Sequence, residues 1–528
     1  MHPDPTQALW QSAQSLFQAD NLAAASGRCL QLIRDFPLHS GANLMLADIE
    51  SANGQHRLAT SHALRAAQKM GPQTLQHLAA VSLRLISVGE YDAARRLVLK
   101  LNPAAVPAPS SVAEFAQQLS LLEQQEDALR FLEVALGQGL DGDWAHYVHG
   151  NLLKFVGKLG QAADAYERSL SRNPDYAFAH HALAYLGQAD SHGRRVDRIR
   201  SSLARVPRDF RDMAYLQYAL FKELDAVGDL GAAWAALEAG FRDKRMQVGH
   251  DAHEETRIFD ALMLETQRGF GLDGAAEPVD DSSPVPVFVL GMPRTGTTLL
   301  ERVLGGNSKV ALCGELNDFR MQFKWSSDYF CLGFFDLPAT RHVGRVDYTE
   351  LGRRYLDHVS WRLPPGISHF TDKNPSNFMM AGLVLRALPR ARIIHLRRNP
   401  MDSCFSNLKE LFGGNAHPYS YGFSDLATHY KNYARLMDHW HAIAPGRILD
   451  VNYEDLVSRP DIEARRVMEY CGLAYDAAQL RVESNAASVS TASRAQVRQP
   501  IHTRNIGGWK QYESQLAPLN ALLGDAAV

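Results

Sequence analysis

Cysteine is scarce in this 528-residue chain, and the five cysteines that occur are scattered without any C-x-x-C pair. That number and spacing argue against a disulfide framework and against a cysteine-based zinc site. The chain also lacks any apolar run near the roughly 20 residues that a membrane helix needs. Its first residues, MHPDPTQALWQSAQ, lack the basic stretch and apolar core of a secretory signal. We therefore expect a cytoplasmic protein without a membrane span.

A strong net charge is missing as well, since the formal charge is −3 and the pI about 6.7. Such a balance gives no bulk attraction to nucleic acid or to an anionic membrane, so we expect neither as a partner. The hydrophobic content of 46% is that of an ordinary globular protein. A chain of this length exceeds a single core and predicts two or more domains.

The region before residue 240 is rich in alanine and leucine with helical spacing, and it shows almost no strand-like alternation. A turn residue followed five positions later by an alanine recurs along it. The alanines of this series lie 34 or 35 residues apart: Ala25, Ala59, Ala94, Ala128 and Ala162. A helix–turn–helix repeat of about 34 residues resembles the tetratricopeptide repeat (TPR). The pattern predicts an all-α TPR solenoid over 6–240.

Stacked repeats of this kind form a concave groove. The groove could bind a protein or peptide, or the array could be a scaffold that packs or self-associates. A bridging helix and a linker rich in Gly, Pro, Asp and Ser follow over 241–283, and a second domain is expected over 284–528.

The stretch VFVLGMPRTGTTLLE at 287–301 reads as a buried strand, a glycine loop and the start of a helix. That arrangement directs backbone N–H groups and the positive end of the helix dipole towards an anion. The spacing from Gly291 to Gly296 is that of a P-loop, but Thr297 stands at the lysine position and the nearest cation is Arg294. The loop is therefore predicted to bind a nucleotide phosphate rather than to hydrolyse a triphosphate.

A second strand, at 393–396, ends in Arg397 and Arg398. In an open α/β sheet, the carboxyl ends of parallel strands meet at one edge, so these arginines are expected beside the glycine loop. A triphosphatase usually has a metal-binding aspartate at this point. Arginine there favours a second phosphate over Mg²⁺.

Three further segments carry candidate residues: Glu315 beyond the loop helix, Lys373 in H-F-T-D-K-N-P, and Tyr453 after a third strand. A carboxylate and a lysine near an anionic donor suit group transfer. The carboxylate takes a proton from the incoming hydroxyl, and the lysine stabilises charge on the leaving oxygen.

In their order along about 285–515, these motifs resemble those of sulfotransferases that use 3′-phosphoadenosine 5′-phosphosulfate (PAPS). The resemblance is nearest to the tyrosylprotein sulfotransferase-like branch, which in bacteria is often fused to TPRs. It implies an α/β fold in which a P-loop-like parallel-sheet sulfotransferase domain follows the solenoid. It also implies PAPS as co-substrate, no metal, and transfer of a sulfuryl group to a hydroxyl such as that of a protein tyrosine. We hypothesise that the repeat groove contributes to the choice of this acceptor rather than to donor binding.

The resemblance also implies which residues hold the donor. P-R-T-G-T-T at 293–298 matches the loop around the 5′-phosphosulfate, which assigns that role to Arg294, Thr295, Gly296, Thr297 and Thr298. R-N-P-M-D-S-C-F-S at 398–406 matches the 3′-phosphate motif, with Arg398 and Ser406 as the binding residues. Tyr453 matches a tyrosine beside the adenine.

The catalytic residues implied by the resemblance are Glu315 as general base, Lys373 at the bridging oxygen of the leaving group, and Arg294 at the transferred group. The stretch S-R-A-Q-V-R-Q-P-I at 493–501 resembles a loop over the donor, so Ser493 would assist at the sulfuryl group and Arg498 would bind the donor.

This sequence departs from the family at two points. The lysine position of the C-terminal loop holds Gln499 with Arg498 beside it, which leaves the register of that loop open. Secreted animal members pair a cysteine before the base with one before the lysine. Here Cys313 is present but Thr371 stands at the partner position, which agrees with a reducing compartment.

Two alternatives belong to other functional classes. A P-loop kinase-like phosphotransferase is disfavoured by the missing loop lysine and metal carboxylate. A non-catalytic TPR adaptor with an inactive transferase domain is disfavoured because the candidate catalytic residues are intact. The acceptor (protein tyrosine, sugar, lipid or small phenol) and the oligomeric state stay open. The insertion 317–370, with an aromatic run at 325–335, could shape the acceptor site, form a lid or belong to the core.

Overall fold

The computed structural model describes residues 5–68, 75–187, 193–267, 270, 283–484 and 500–527. The chain divides into two compact units, Met1–Leu140 with Asn317–Trp361, and Asp141–Leu316 with Arg362–Val528. The domain boundaries predicted at 240 and 284 stay a prediction, and most of the predicted linker lies outside the described residues. In the part of the chain that the structure describes, no helix is long and apolar enough to cross a membrane.

Helices occupy the chain before the first strand, as the sequence predicted. In chain order they are α1 (Pro5–Gln18), α2 (Leu22–Asp35), α3 (Ser40–Ala52), α4 (His56–Ala67), α5 (Leu75–Ser87), α6 (Tyr91–Leu99), α7 (Pro109–Leu121), α8 (Gln125–Gly137), α9 (Asp143–Phe155), α10 (Leu159–Arg172), α11 (Ala177–Ala184), α12 (Arg194–Arg205), α13 (Met213–Val227), α14 (Leu230–Gln247) and α15 (Ala252–Gln267).

The repeated motif marks the turn between two paired helices. Its first position has a left-handed backbone, with φ between 56° and 87°, at Asp20, Gly54, Gly89, Glu123, Gly157 and Gly228. Glycine suits this position because it has no Cβ, and it ends the preceding helix. The alanines five residues later have no exposed surface: Ala25, Ala59, Ala94, Ala128, Ala162 and Ala233. Each motif therefore ends one helix and provides a small residue at a close contact between helices. The TPR-like prediction is confirmed.

A five-stranded parallel sheet follows, in the order β2-β3-β1-β4-β5. The strands are β1 (Val285–Leu290), β2 (Val310–Leu312), β3 (His369–Asp372), β4 (Arg392–Arg397) and β5 (Ile448–Asn452). Since β1 is central, it is buried except at its first residue. The predicted fold class, an all-α repeat region followed by an α/β parallel-sheet domain, is confirmed.

Helices lie along and between the strands: α16 (Thr297–Leu304), α17 (Asp318–Ser327), α18 (Leu337–Thr340), α19 (Tyr348–Val359), α20 (Ala381–Ala387), α21 (Pro400–Leu408), α22 (Phe423–Ile443), α23 (Tyr453–Ser458), α24 (Pro460–Cys471) and α25 (Glu513–Leu523). On one face of the sheet, Val287 and Val289 share a core with α16 and α24. On the other face, Tyr433 of α22 contacts His395 of β4. Both faces are therefore covered, as parallel sheets require.

Helix α15, within the predicted bridging region, packs against α22. Thr266 lies 2.7 Å from the Nε2 atom of His439, and the Asn432 side chain donates to Thr256 at 2.9 Å. Phe259 is buried at the same contact. The last helix before the linker therefore covers part of the α/β domain.

The insertion after β2 packs against early repeat helices within the first compact unit. Arg57 donates from its side chain to the carbonyl oxygens of Trp325 and Ser326 at 2.9 and 2.7 Å, and its backbone N–H donates to Asp328. A Cβ on Gly89 would lie 2.7 Å from the Cβ of Met321, so the two elements touch closely. Much of the insertion is therefore packing surface for the repeats.

Candidate functional site

A candidate residue or loop follows the carboxyl end of every strand in the sheet. The glycine loop follows β1, Glu315 follows β2, Lys373 follows β3, Arg398 follows β4 and Tyr453 follows β5. Because all five strands are parallel, these positions share one edge, where open α/β sheets bind ligands. The sheet topology therefore brings the separate sequence motifs to one side of the molecule.

The glycine loop passes so close to its neighbours that side chains are excluded at two positions. Gly291 has φ 152°, and a Cβ there would lie 2.4 Å from the backbone oxygen of Leu396. Gly296 has φ 104°, and a Cβ there would lie 2.6 Å from the ring of Tyr453. Both glycines are needed for space and for backbone conformation. The loop is therefore fixed between β4 and the residue after β5.

We expect Gly291→Ala to lower the free energy of unfolding by about 2 kcal/mol or more, because a backbone atom cannot move aside and the conformation disfavours alanine. Urea unfolding would measure the change. Gly413→Ala is the matched control, since a Cβ there meets nothing within 4 Å. Equal stability of the two variants would contradict this account of the loop.

Arg294 lies at the tip of the loop with a left-handed backbone, φ 69°. This conformation is uncommon for a residue with a side chain and is often kept at functional sites. Its guanidinium lies 3.5 Å from the carboxylate of Glu410. Its backbone oxygen accepts a hydrogen bond of 3.1 Å from Arg398. Arg294 and Arg398, which are both predicted to bind the donor, are therefore directly connected.

Arg398 joins three parts of the site. Besides its bond to the loop, it donates to the backbone oxygen of Asn505, and its guanidinium lies 4.6 Å from the ring centroid of Tyr453. Its Nε is buried and has no hydrogen-bond partner among the described residues. Burial lowers the pKa of Arg398 from its usual value. A buried cation with a spare N–H favours an anionic ligand.

A cleft of about 310 Å³ opens at these residues. It brings together six residues predicted to bind the donor, namely Arg294, Gly296, Thr298, Arg398, Ser406 and Tyr453. Asn399 caps the start of helix α21, because its side chain accepts from the N–H of Asp402, and Pro400 occupies the first helical position. This start places Ser406 two turns into the helix, facing the cleft.

Further cations line the cleft beside the predicted ones, including Lys222 and Lys409. Burial is the main cause that lowers the pKa of Lys409 to about 8, and the positive charges of Lys222, Arg294 and Arg398 act in the same direction. Crowded cations that lower a lysine pKa create a site where a bound anion relieves repulsion.

The C-terminal segment forms one wall of the cleft through Pro500, His502, Arg504 and Asn505. Asp402 holds this segment, because its carboxylate accepts from the N–H groups of Gly507 at 2.7 Å and Trp509 at 3.2 Å. Ser493 and Arg498, predicted in the preceding stretch, lie outside the described residues.

Glu315 and Lys373 form an ion pair, with the Lys373 Nζ 2.6 Å from the Glu315 Oε1. The Lys373 side chain is completely buried, whereas 39% of the Glu315 side chain is exposed. The backbone N–H of Lys373 donates to the Gly314 oxygen at 2.8 Å. The lysine is thus fixed inside the protein while the carboxylate remains open to an incoming group.

Glu301, which the sequence analysis did not single out, supports this pair from α16. Its carboxylate accepts from the Gly314 N–H at 3.1 Å and from the Thr371 hydroxyl at 2.8 Å. Burial raises the pKa of Glu301, while the charge of Lys373 opposes that shift. Thr371, at the position of the family's second cysteine, therefore has its own structural role. The same helix borders the cleft at its first turn and the ion pair at its second.

Two loop residues predicted to bind the donor, Thr295 and Thr297, are not part of the cleft lining. The Thr295 hydroxyl donates to the Met292 oxygen at 2.8 Å, and Thr295 lines a smaller cavity of about 70 Å³. Thr297 is buried and is not part of the cleft lining. The backbone N–H of Thr297 lies at the start of α16, whereas that of Thr295 donates to the Met292 oxygen at 3.3 Å. A donor role for either residue stays a prediction.

The same smaller cavity borders a group that could hold a metal ion: His395, His441 and Asp450. Asp450 Oδ1 lies 2.7 Å from His395 Nδ1 and 3.1 Å from His441 Nε2, while Arg397 lies 3.7 Å from Oδ2. Sequence spacing did not reveal this group because the fold assembles it from two strands and a helix. An ion would compete with three existing polar contacts.

Comparison with known proteins identifies the domain that carries the cleft. Residues 286–477 match the family model described as "Sulfotransferase family". This stretch is a sulfotransferase-family domain. It contains the glycine loop, Glu315, Lys373, Arg398, Ser406 and Tyr453. The narrower assignment to the tyrosylprotein branch stays a prediction.

The similarity to known proteins extends beyond the sulfotransferase-family domain. An uncharacterised protein of Aquifex aeolicus (strain VF5) is 28% identical over 399 residues, which cover 71% of this chain and 49% of that protein. The nodulation protein NoeE of Sinorhizobium fredii (strain NBRC 101917 / NGR234) is 29% identical over 230 residues, covering 38% of this chain and 52% of NoeE. The chain thus spans about half the length of these relatives.

Among solved structures, the chain is similar to the sulfotransferase domain from the Synechococcus PCC 7002 olefin synthase. The identity is 21%, the TM-score is 0.31, and the alignment covers 45% of this chain and 90% of that domain.

Sequence reasoning missed five charged residues that line the cleft: Lys222, Asp225, Asp402, Lys409 and Arg504. Lys409 lies one turn after Ser406, so helical spacing from the 3′-phosphate motif was an available signal. Lys222 and Asp225 belong to a repeat helix far from the motifs, and only the tertiary structure reveals them. The expectation that the repeats contribute to acceptor choice rather than to donor binding stays a prediction.

Proposed function

We propose that this protein transfers a sulfuryl group from PAPS to a hydroxyl acceptor. The observation that carries the proposal is that one edge of a parallel sheet presents a cationic cleft and, after two neighbouring strands, the Glu315–Lys373 ion pair. The family match of the same domain supports it. A protein tyrosine is the acceptor that the motif resemblance implies.

The cleft residues fit a nucleotide with phosphates at both ends. Arg294 and the start of α16 would hold the 5′-phosphosulfate, and Arg398 with Ser406 would hold the 3′-phosphate. The unpaired, buried Nε of Arg398 and the glycine loop, which has no room for side chains, are the features that favour this ligand. Tyr453 offers a ring face at the adenine end.

The proposed reaction breaks the sulfur–oxygen bond to the donor's 5′-phosphate and forms one to the acceptor oxygen. Glu315 takes the acceptor proton, and Lys373 stabilises negative charge on the leaving oxygen. In-line transfer of this kind depends mainly on positioning and electrostatics. The ion pair fixes Oε1 of Glu315, and the exposed carboxylate can then accept the proton from an acceptor arriving from solvent.

In the deciding experiment, the protein is incubated with ³⁵S-labelled PAPS and a cell extract that supplies acceptors. Proteins are then separated from small molecules, and the label in each fraction is measured. We expect labelled product and release of 3′-phosphoadenosine 5′-phosphate (PAP). Label in the protein fraction, released as tyrosine sulfate after hydrolysis, would identify the protein acceptor. Absence of PAP binding by calorimetry would contradict the proposed donor.

We also predict that PAP affinity falls by up to about tenfold between pH 7 and pH 9. The pKa of Lys409 is lowered to about 8, so the empty cleft loses this proton as the pH rises through that value. The bound anion favours protonated Lys409, so binding near pH 8 should take up a proton. Calorimetry in buffers of different ionisation enthalpy measures that uptake.

Lys409→Arg provides the control for this pH dependence, because arginine stays charged throughout the range. The variant should bind PAP with nearly constant affinity from pH 7 to pH 9. The second phosphate ionisation lies near pH 6, so the ligand contributes little above pH 7. An unchanged slope in Lys409→Arg would show that another group is responsible.

A further inference from the structure

A helix of the repeat region forms part of the cleft wall. Lys222 and Asp225 lie three residues apart on α13, on one face of that helix, and both line the cleft with Arg294 and Arg398. All four residues belong to the same compact unit.

Helix α13 is fixed to the sulfotransferase-family domain by buried hydrogen bonds. The hydroxyl of Tyr218, which is fully buried, donates to the Leu408 oxygen at 2.8 Å. The Tyr185 hydroxyl, from the neighbouring α11 region, donates to the Lys409 oxygen at 3.0 Å. Both acceptors lie at the end of α21, the helix that carries Ser406. The position of Lys222 relative to the cleft is therefore set by specific contacts.

Asp225 connects α13 to the opposite wall. It accepts from the Tyr512 hydroxyl at 2.8 Å and from the Gln511 side chain at 3.3 Å. Tyr512 is buried, and Gln511 itself lines the cleft. Helix α13 thus holds the C-terminal wall at one point, while Asp402 holds it at another.

The carboxylates of the cleft are already engaged, whereas its cations are crowded. Asp225 and Asp402 accept hydrogen bonds from the C-terminal segment, and Glu410 faces Arg294 at 3.5 Å. The ammonium of Lys222 lies over the Tyr185 ring, 5.8 Å from its centroid. This excess of positive charge beside Ser406 suits a phosphate.

We infer that Lys222, a residue of the helical repeats, binds a phosphate of the sulfuryl donor, so that α13 and the sulfotransferase-family domain form one nucleotide-binding site. The inference rests on the proposed function, because it names a further residue at the same donor site. It assigns donor binding to a region whose sequence predicts only acceptor binding or scaffolding.

The test measures PAP binding by calorimetry to the full-length protein and to three variants. Lys222→Ala should weaken PAP about tenfold, the scale of one charged hydrogen bond. Lys222→Arg should recover most of the affinity, because it restores the charge. Lys431→Ala is the matched control, an exposed lysine on α22 that is not part of the cleft lining, and should bind as the unchanged protein does.

Adenosine, which has no phosphate, separates charge recognition from a structural role. Lys222→Ala should bind adenosine with wild-type affinity. An equal loss of affinity for adenosine and for PAP would overturn the inference. Normal PAP affinity in Lys222→Ala would overturn it too, while the proposed function would stand. Failure of the unchanged protein to bind PAP would instead remove both. Thermal unfolding of each variant verifies that the fold is retained.

Discussion

Replacing Glu315 with glutamine is expected to slow turnover by about 10²–10⁴-fold, the usual contribution of a general base. The two side chains are nearly the same size, so the space at the ion pair is kept. The amide cannot accept the acceptor's proton, and it no longer neutralises Lys373. Because Glu315 follows β2 and is not part of the cleft lining, PAP affinity should change little.

Steady-state kinetics and PAP calorimetry on the same preparation measure both effects. Glu469→Gln, an exposed carboxylate on α24, is the control and should leave turnover unchanged. A fall in kcat with retained PAP binding supports the role of Glu315 as base. Near-normal kcat in Glu315→Gln would remove Glu315 from the mechanism and direct attention to the other carboxylate beside Lys373, Glu301.

The sequence predicted those parts of the site in which the functional residue directly follows a strand along the chain. Arg398 follows β4 directly, and Lys373 follows β3 directly. For such residues, recognising the strand is enough to place the side chain, because parallel strands end at one edge. The helical repeats were predictable for a similar reason, since turn glycine and buried alanine stand five residues apart.

The rest of the site depends on contacts between distant parts of the chain. Nothing near Lys222 in the sequence distinguishes it from other helix-surface lysines. Tertiary contacts, such as the Tyr218 bond to α21 and the Tyr512 bond to Asp225, place α13 at the cleft. The Thr295 hydroxyl could be assigned to the donor from its motif, yet it bonds within its own loop. Such orientation depends on backbone geometry that residue identity does not fix.

The largest expected effect on donor binding comes from Arg398→Ala, which should weaken PAP by about 2–3 kcal/mol. The variant removes the charge beside Ser406 and also the hydrogen bonds to the Arg294 and Asn505 oxygens. Adenosine 5′-phosphosulfate lacks the 3′-phosphate and should lose far less affinity. Calorimetry with both nucleotides measures the difference.

Two companion variants separate charge from position. Arg398→Lys keeps the charge but cannot reproduce a guanidinium that bridges two backbone oxygens, so it should recover only part of the affinity. Arg397→Ala removes the neighbouring arginine, whose side chain is 60% exposed and points to Asp450, and should bind PAP normally. If Arg398→Ala lost equal affinity for PAP and for adenosine 5′-phosphosulfate, Arg398 would hold the glycine loop and the C-terminal wall but would not bind the 3′-phosphate. The donor's two ends would then be distinguished by Ser406 and the lysines beside it.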